Sequence, residues 1–146
     1  MNMIALALKI AKKAHKGQFR NDKITPYITH PIAVAKQLTP PIWNYYDKHT
    51  EQLQRSAALL HDVLEDSDIT AEDLLKEGID PFVINVVKIL TKKKFEPYIE
   101  YILNIKKNYM AQSIKIEDIK HNLSTLDPKN KTMKDKYELA LYILEH

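Results

Sequence analysis

The sequence predicts an all-α domain. Only two glycines occur in 146 residues, and no run alternates Val, Ile and Thr with polar residues as a half-buried strand would. Apolar residues instead recur at spacings of three and four. A chain of this length is the size of one domain, residues 1–146, and 45% hydrophobic with 28% charged residues is ordinary globular composition.

Each element has a local reason. Ile4, Leu8, Ala11 and Ala14 share one stripe among lysines, so a helix is expected over residues 1–16, ended by Gly17. Residues 17–29 read as a loop. Pro31 suits a first helical position and opens a helix over residues 31–38, stopped by Pro40-Pro41. Residues 43–46 read as a short connector with Trp43 as a packing anchor. The spacing of Leu53, Ala57, Leu60 and Leu64 predicts a continuous helix over residues 51–64. Thr70-Ala71-Glu72-Asp73 has the form of a capping box, opening a helix that Gly78 closes. Asp80-Pro81 is an N-cap and first-position pair for a helix over residues 81–92, with Lys92-Lys93-Lys94 at its C-terminus, where cations complement the helix dipole. Pro97 suits the first turn of a helix with Tyr98, Ile102 and Ile105 on one side. Two further helices are expected over residues 109–126, ending before Pro128, and 132–145, with Tyr137, Leu141 and Leu144 on one stripe. No repeat, low-complexity tract or linker interrupts the pattern.

Composition narrows the function. A net charge of +3 is too mild to argue for nucleic acid, and the lysine clusters read as solvated helix ends that would also suit an anionic nucleotide. No stretch approaches the roughly 20 apolar residues that span a bilayer, and no targeting segment is recognisable, so the cytoplasm is the expected compartment and no membrane partner is expected. With no cysteine, thiolate metal sites are excluded.

The most informative stretch is Ala57-Ala58-Leu59-Leu60-His61-Asp62-Val63-Leu64-Glu65-Asp66. On a helix, His61 and Glu65 are i and i+4, as are Asp62 and Asp66, so four polar groups crowd two adjacent stripes straight after an apolar run. Packing would not select that face, whereas a divalent ion served by carboxylates would. The competing reading is a helix end with solvated acids and a surface histidine. Two other segments favour the metal: His30 in Thr29-His30-Pro31, and Asp118, flanked by Ile116 and Ile119. His30, His61, Asp62 and Asp118 make a set of two nitrogens and two oxygens that leaves two positions of an octahedral ion open. Such a set favours Mn²⁺, Fe²⁺ or a similar ion over a closed zinc site. Asn122 lies one turn beyond Asp118, facing the same cleft, with a helix hydrogen bond as its other reading. His121 is expected to point elsewhere, as a surface or core histidine.

Four ordered motifs carry a family likeness. They are Ala14-His15-Lys16-Gly17-Gln18-Phe19-Arg20, Pro26-Tyr27-Ile28-Thr29-His30-Pro31, Ala58-Leu59-Leu60-His61-Asp62-Val63-Leu64-Glu65-Asp66 and Lys115-Ile116-Glu117-Asp118-Ile119-Lys120-His121-Asn122-Leu123. The chain resembles the hydrolase part of the RelA/SpoT homologue family, a branch of the HD-domain metal phosphohydrolases, and especially its small single-domain alarmone hydrolases. The resemblance implies an HD-domain helical bundle without the family's nucleotide-synthesising domain. It implies one Mn²⁺ held by His30, His61, Asp62 and Asp118, with Glu65 and Asp66 beside the bound water as acid–base groups rather than ligands. It implies substrate contacts from Arg20, Asn122 and Thr125, with His15 supporting Arg20. The implied reaction is hydrolysis of the 3′-ester of guanosine tetra- or pentaphosphate, releasing pyrophosphate. Asn21 and Ile119 stand where relatives often carry basic residues, and the stretch from His61-Asp62 to Asp118 is shorter than in many of them. Two alternatives therefore stay open: the same chemistry on NADPH or another nucleotide, and a non-catalytic nucleotide-binding module.

Overall fold

The structure, a computed structural model, describes residues 2–39 and 47–146. Among these the chain is helical, with one isolated bridge between Phe19 and Pro26. The helices are α1 (Met3–Ala14), α2 (Thr29–Gln37), α3 (Lys48–Leu60), α4 (Val63–Asp66), α5 (Ala71–Lys76), α6 (Pro81–Leu90), α7 (Tyr98–Lys106), α8 (Tyr109–Thr125) and α9 (Lys131–Glu145). The expectations for Pro40-Pro41 and for Trp43 to Tyr46 lie outside the described residues.

Local chemistry sets most boundaries as predicted. Asn2 caps α1 by accepting from the Ala5 amide at 2.8 Å, and Gly17 turns the chain out at φ +80°. Thr70 and Asp73 form the reciprocal capping box of α5, and Asp80 accepts from the Phe82 amide ahead of Pro81. The loop after α1 is tight rather than open. Arg20 and Tyr27 amides donate to Thr25 and Gln18 carbonyls, and Asp22 accepts from the Ile24 and Thr25 amides.

Four boundaries depart from prediction. α2 begins at Thr29, so Pro31 sits inside the first turn, where its missing N–H costs nothing. α6 ends at Leu90 rather than at Lys92, and the Lys92 amide is taken by the Glu65 carboxylate at 3.0 Å. Pro97 is the N-cap residue of α7 and precedes its first turn. The fourth departure matters most: the helix expected over residues 51–64 breaks after Leu60. His61 and Asp62 form a turn, and α4 resumes at Val63. The Ala58 carbonyl receives both the His61 amide and the His61 ring Nδ1, which ends the regular ladder there.

The core runs through α3, which packs on α1, α2, α6 and α8. Ala57, Ala58, Leu60 and Val63 are wholly buried around the break, in one cluster with Val34 of α2, Val83 and Val87 of α6, and Ile114 and Ile119 of α8. α8 is enclosed by α2, α3, α6, α7 and α9, so the polar residues on its inner face are brought into the interior. No helix among the described residues is long and apolar enough to cross a membrane.

Candidate metal centre

Three elements bring polar side chains to one buried point. His30 comes from the first turn of α2, His61 and Asp62 from the break between α3 and α4, and Asp118 from the middle of α8. His30, His61 and Asp118 are buried, and one donor atom from each lies within 4.8 Å of the others. His30 Nε2 is 2.8 Å from Asp118 Oδ1, and His61 Nε2 is 3.5 Å from the same oxygen. Asp62 stands beside this trio, with Oδ2 3.0 Å from His61 Nε2 and 3.7 Å from His30 Nε2.

Both imidazoles are held by their outer nitrogens. His61 Nδ1–H donates to the Ala58 carbonyl at 2.6 Å, which turns Nε2 inward. His30 Nδ1 is 2.7 Å from His121 Nδ1, leaving its Nε2 on the same point. His61 Nε2 is buried without a hydrogen-bond partner: Asp62 is near it but out of line. A buried polar atom without a hydrogen-bond partner is costly. Two carboxylates, a second imidazole and this orphaned nitrogen fit a divalent cation, which would complete all of them. Burial works against charge on His61, but the carboxylates of Asp62 and Asp118 outweigh it and hold the ring well above its usual range. Burial likewise works against the charged carboxylates, yet both stay below the usual range, Asp62 through His61 and Asp118 through Lys115 and then His61. Burial lowers His30 despite Asp118. The two carboxylates are thus held ionised here, with His61 and Lys115 as their counter-charges.

A ring of further residues fixes the two carboxylates. Tyr27 OH donates to Asp62 Oδ2 at 2.6 Å, Lys115 Nζ to Asp118 Oδ2 at 2.8 Å, and Asn122 Nδ2 to Asp118 Oδ1 at 3.2 Å. Removing outer partners of this kind typically costs about 10- to 100-fold in metal affinity or in activity. Tyr27→Phe is accordingly expected to weaken divalent-ion binding at this centre by about tenfold in a calorimetric titration. Equal affinity would show that Asp62 needs no such orientation.

Arg20, Asn122 and Thr125 are joined although they come from distant segments. Arg20 Nη2 donates to Asn122 Oδ1 at 3.0 Å and to Thr125 Oγ1 at 2.8 Å, and the guanidinium lies 5.8 Å from the Tyr27 ring centroid. The chain Asp118–Asn122–Arg20–Thr125 thus leads from the buried trio to an open pocket lined by Arg20, Asn21, Asp22, Thr25, Thr29, His121 and Thr125. His15 bears on Arg20 through Tyr27: its ring lies 4.8 Å from the Tyr27 ring, and its Nδ1 pairs with Gln18 Oε1 at 2.8 Å.

Glu65 and Asp66 are exposed at the rim. The expectation that both share one helix face with His61 and Asp62 holds only in part. The Asp66 amide still donates to the Asp62 carbonyl at 2.9 Å, but Glu65 turns to the Lys92 amide. Desolvation on its inner side, with the charges of Asp62 and Glu65, pushes the Asp66 carboxyl up to about 6.

Three participants escaped the sequence reading. His121 was expected to point away, yet it touches His30 and lines the pocket. It is i+3 from Asp118, which on a helix shares the face of i+4. Lys115, at i−3, carries the same signal. Tyr27 lay inside a quoted motif with nothing local to reveal its partner.

A family model described as HD domain matches residues 7–134. The chain belongs to the HD domain family. Among its relatives, the guanosine-3′,5′-bis(diphosphate) 3′-pyrophosphohydrolase of Haemophilus influenzae is 36% identical over 127 residues, covering 80% of this HD domain chain and 18% of that protein. The bifunctional (p)ppGpp synthase/hydrolase SpoT of Escherichia coli is 35% identical over 132 residues, covering 82% and 17%. The pyrophosphohydrolase MESH1 of Xenopus tropicalis is 38% identical over 100 residues, covering 67% and 52%. The chain therefore spans about a fifth of the long bacterial relatives and half of the short one. A solved structure of a metazoan ortholog of SpoT, described as hydrolysing ppGpp, superposes with a TM-score of 0.75 at 28% identity, over 99% of this chain and 84% of that one. The likeness to the RelA/SpoT group and the all-α HD-domain bundle both stand.

Proposed function

We propose that this HD domain is a metal-dependent phosphohydrolase that removes the 3′-pyrophosphate from guanosine tetra- or pentaphosphate, with Mn²⁺ held by His30, His61, Asp62 and Asp118. The observation that carries the reading is the buried trio of His30, His61 and Asp118 with its orphaned His61 nitrogen. The names of the bacterial and metazoan relatives support the substrate. The ion would supply Lewis acidity and a water of lowered pKa.

The remaining work falls to the chain's own side chains. Asp66, raised to about 6, can exchange a proton near neutral pH, and Glu65 adds a second carboxylate at the same rim. Water adds to the phosphorus attached to the ribose 3′ oxygen, and that oxygen leaves with a proton, giving GDP and pyrophosphate from the tetraphosphate. Arg20, with Asn122 and Thr125, forms the wall that grips the nucleotide through its fork of donors. The absence of cysteine accords with a cytoplasmic setting.

A release assay over nucleotides with added Mn²⁺ tests this directly. The tetraphosphate should be cleaved while GTP and GDP, which lack a 3′-phosphate, stay intact. Arg20→Ala and Asn122→Ala should raise KM more than they lower kcat, the pattern of lost uniform binding. An intact tetraphosphate beside hydrolysed NADPH or deoxynucleotide triphosphate would overturn the alarmone substrate and keep the HD chemistry.

A further inference from the structure

Lys115 is an unusual neighbour for a metal ligand. A cation beside a cation site weakens the attraction for the ion, so a mere affinity device would not include it. Its side chain is only 14% exposed, and its ammonium lies 5.3 Å from the Tyr101 ring centroid and 2.8 Å from Asp118 Oδ2. The Tyr101 hydroxyl donates to the Leu90 carbonyl, which anchors that ring between α6 and α7.

The two oxygens of Asp118 have separate partners. Oδ1 faces His30 Nε2 and Asn122 Nδ2 and lies nearest His61, whereas Oδ2 is turned to Lys115. A carboxylate with a free second oxygen can chelate an ion through both. Four monodentate ligands leave two of six octahedral positions, enough for a water and a substrate oxygen; chelation by Asp118 would leave one.

We propose that Lys115 is a positioning residue that holds Asp118 Oδ2 away from the ion, so that Asp118 binds through Oδ1 alone and two coordination positions stay open. This rests on the metal-centre reading above. Lys115 does not touch the substrate or the ion. It controls how many positions Asp118 occupies, and thereby whether water and substrate can be bound together.

Mn²⁺ is both probe and reporter. Its binding to the full chain is followed by calorimetry, and the number of exchanging waters on the bound ion by water-proton relaxation. Lys115→Met should bind Mn²⁺ at least as tightly as the parent, lose roughly one water from the ion, and fall about 10- to 100-fold in kcat. Lys115→Arg, which keeps a cationic donor, should restore the water count. Lys115→Ala serves equally should the Met variant not fold, since it too frees Oδ2. A purely structural lysine would lower the melting temperature and leave the water count untouched. A folded Met or Ala variant with the parent's water count, or with no Mn²⁺ binding, overturns the proposal. A parent that binds no Mn²⁺ overturns the metal centre itself.

Discussion

Asp118→Ala is expected to abolish Mn²⁺ binding and hydrolysis together, the largest single effect at this site. The variant removes the one carboxylate shared by His30, His61, Lys115 and Asn122. Stability should fall even without metal, because the Lys115 ammonium is left enclosed and unpaired; breaking a buried pair from one side typically costs about 3–5 kcal/mol. Chelation separates the two losses. In the parent, an ion at a hundredfold over its Kd stabilises by about 2.7 kcal/mol, which chelator removes. The variant's melting temperature should not respond to chelator at all. Adding Lys115→Met to Asp118→Ala should recover part of the stability and none of the metal binding. Mn²⁺ affinity equal to the parent's in Asp118→Ala would place the ion elsewhere.

How much of this was legible depends on whether the cause was local. The cap of α5 by Thr70 and Asp73 and that of α6 by Asp80 are settled within four residues, and both were readable. The break at His61-Asp62 was not, because Leu60, Val63 and Leu64 continue an apolar period without glycine or proline. The stop comes from the His61 ring taking the Ala58 carbonyl, an arrangement that points its other nitrogen at α2 and α8. Asp118 was legible as a carboxylate between two isoleucines. Its neighbours Lys115 and His121 were not, since reading a helix as having one inward face fails for α8, which is enclosed by five others. Tyr27 meets Asp62 across 35 positions of sequence, a distance over which spacing carries no signal.

Glu65→Gln and Asp66→Asn are expected to keep the metal and lose the rate. Neither acid is among the converging donors, so Mn²⁺ affinity should stay within a few-fold of the parent, whereas acid–base assistance is typically worth about 10²–10⁴-fold in turnover. Glu65→Gln retains an oxygen for the Lys92 amide, so its loss reports the charge and not the anchoring of the segment after α6. Asp66→Asn has a second signature, in the metal-free protein. The folded carboxyl at about 6 lies above its unfolded value near 3.8, so ionising it opposes folding. That cost is present in full above about pH 6 and disappears as pH falls through 3.8. The exposed position screens it to on the order of 1 kcal/mol. Metal-free Asp66→Asn should therefore melt a few degrees above the parent at pH 8 and level with it near pH 4. A gain that persists at pH 4 would mean the asparagine stabilises for some other reason, and loss of Mn²⁺ from either variant would make these acids ligands.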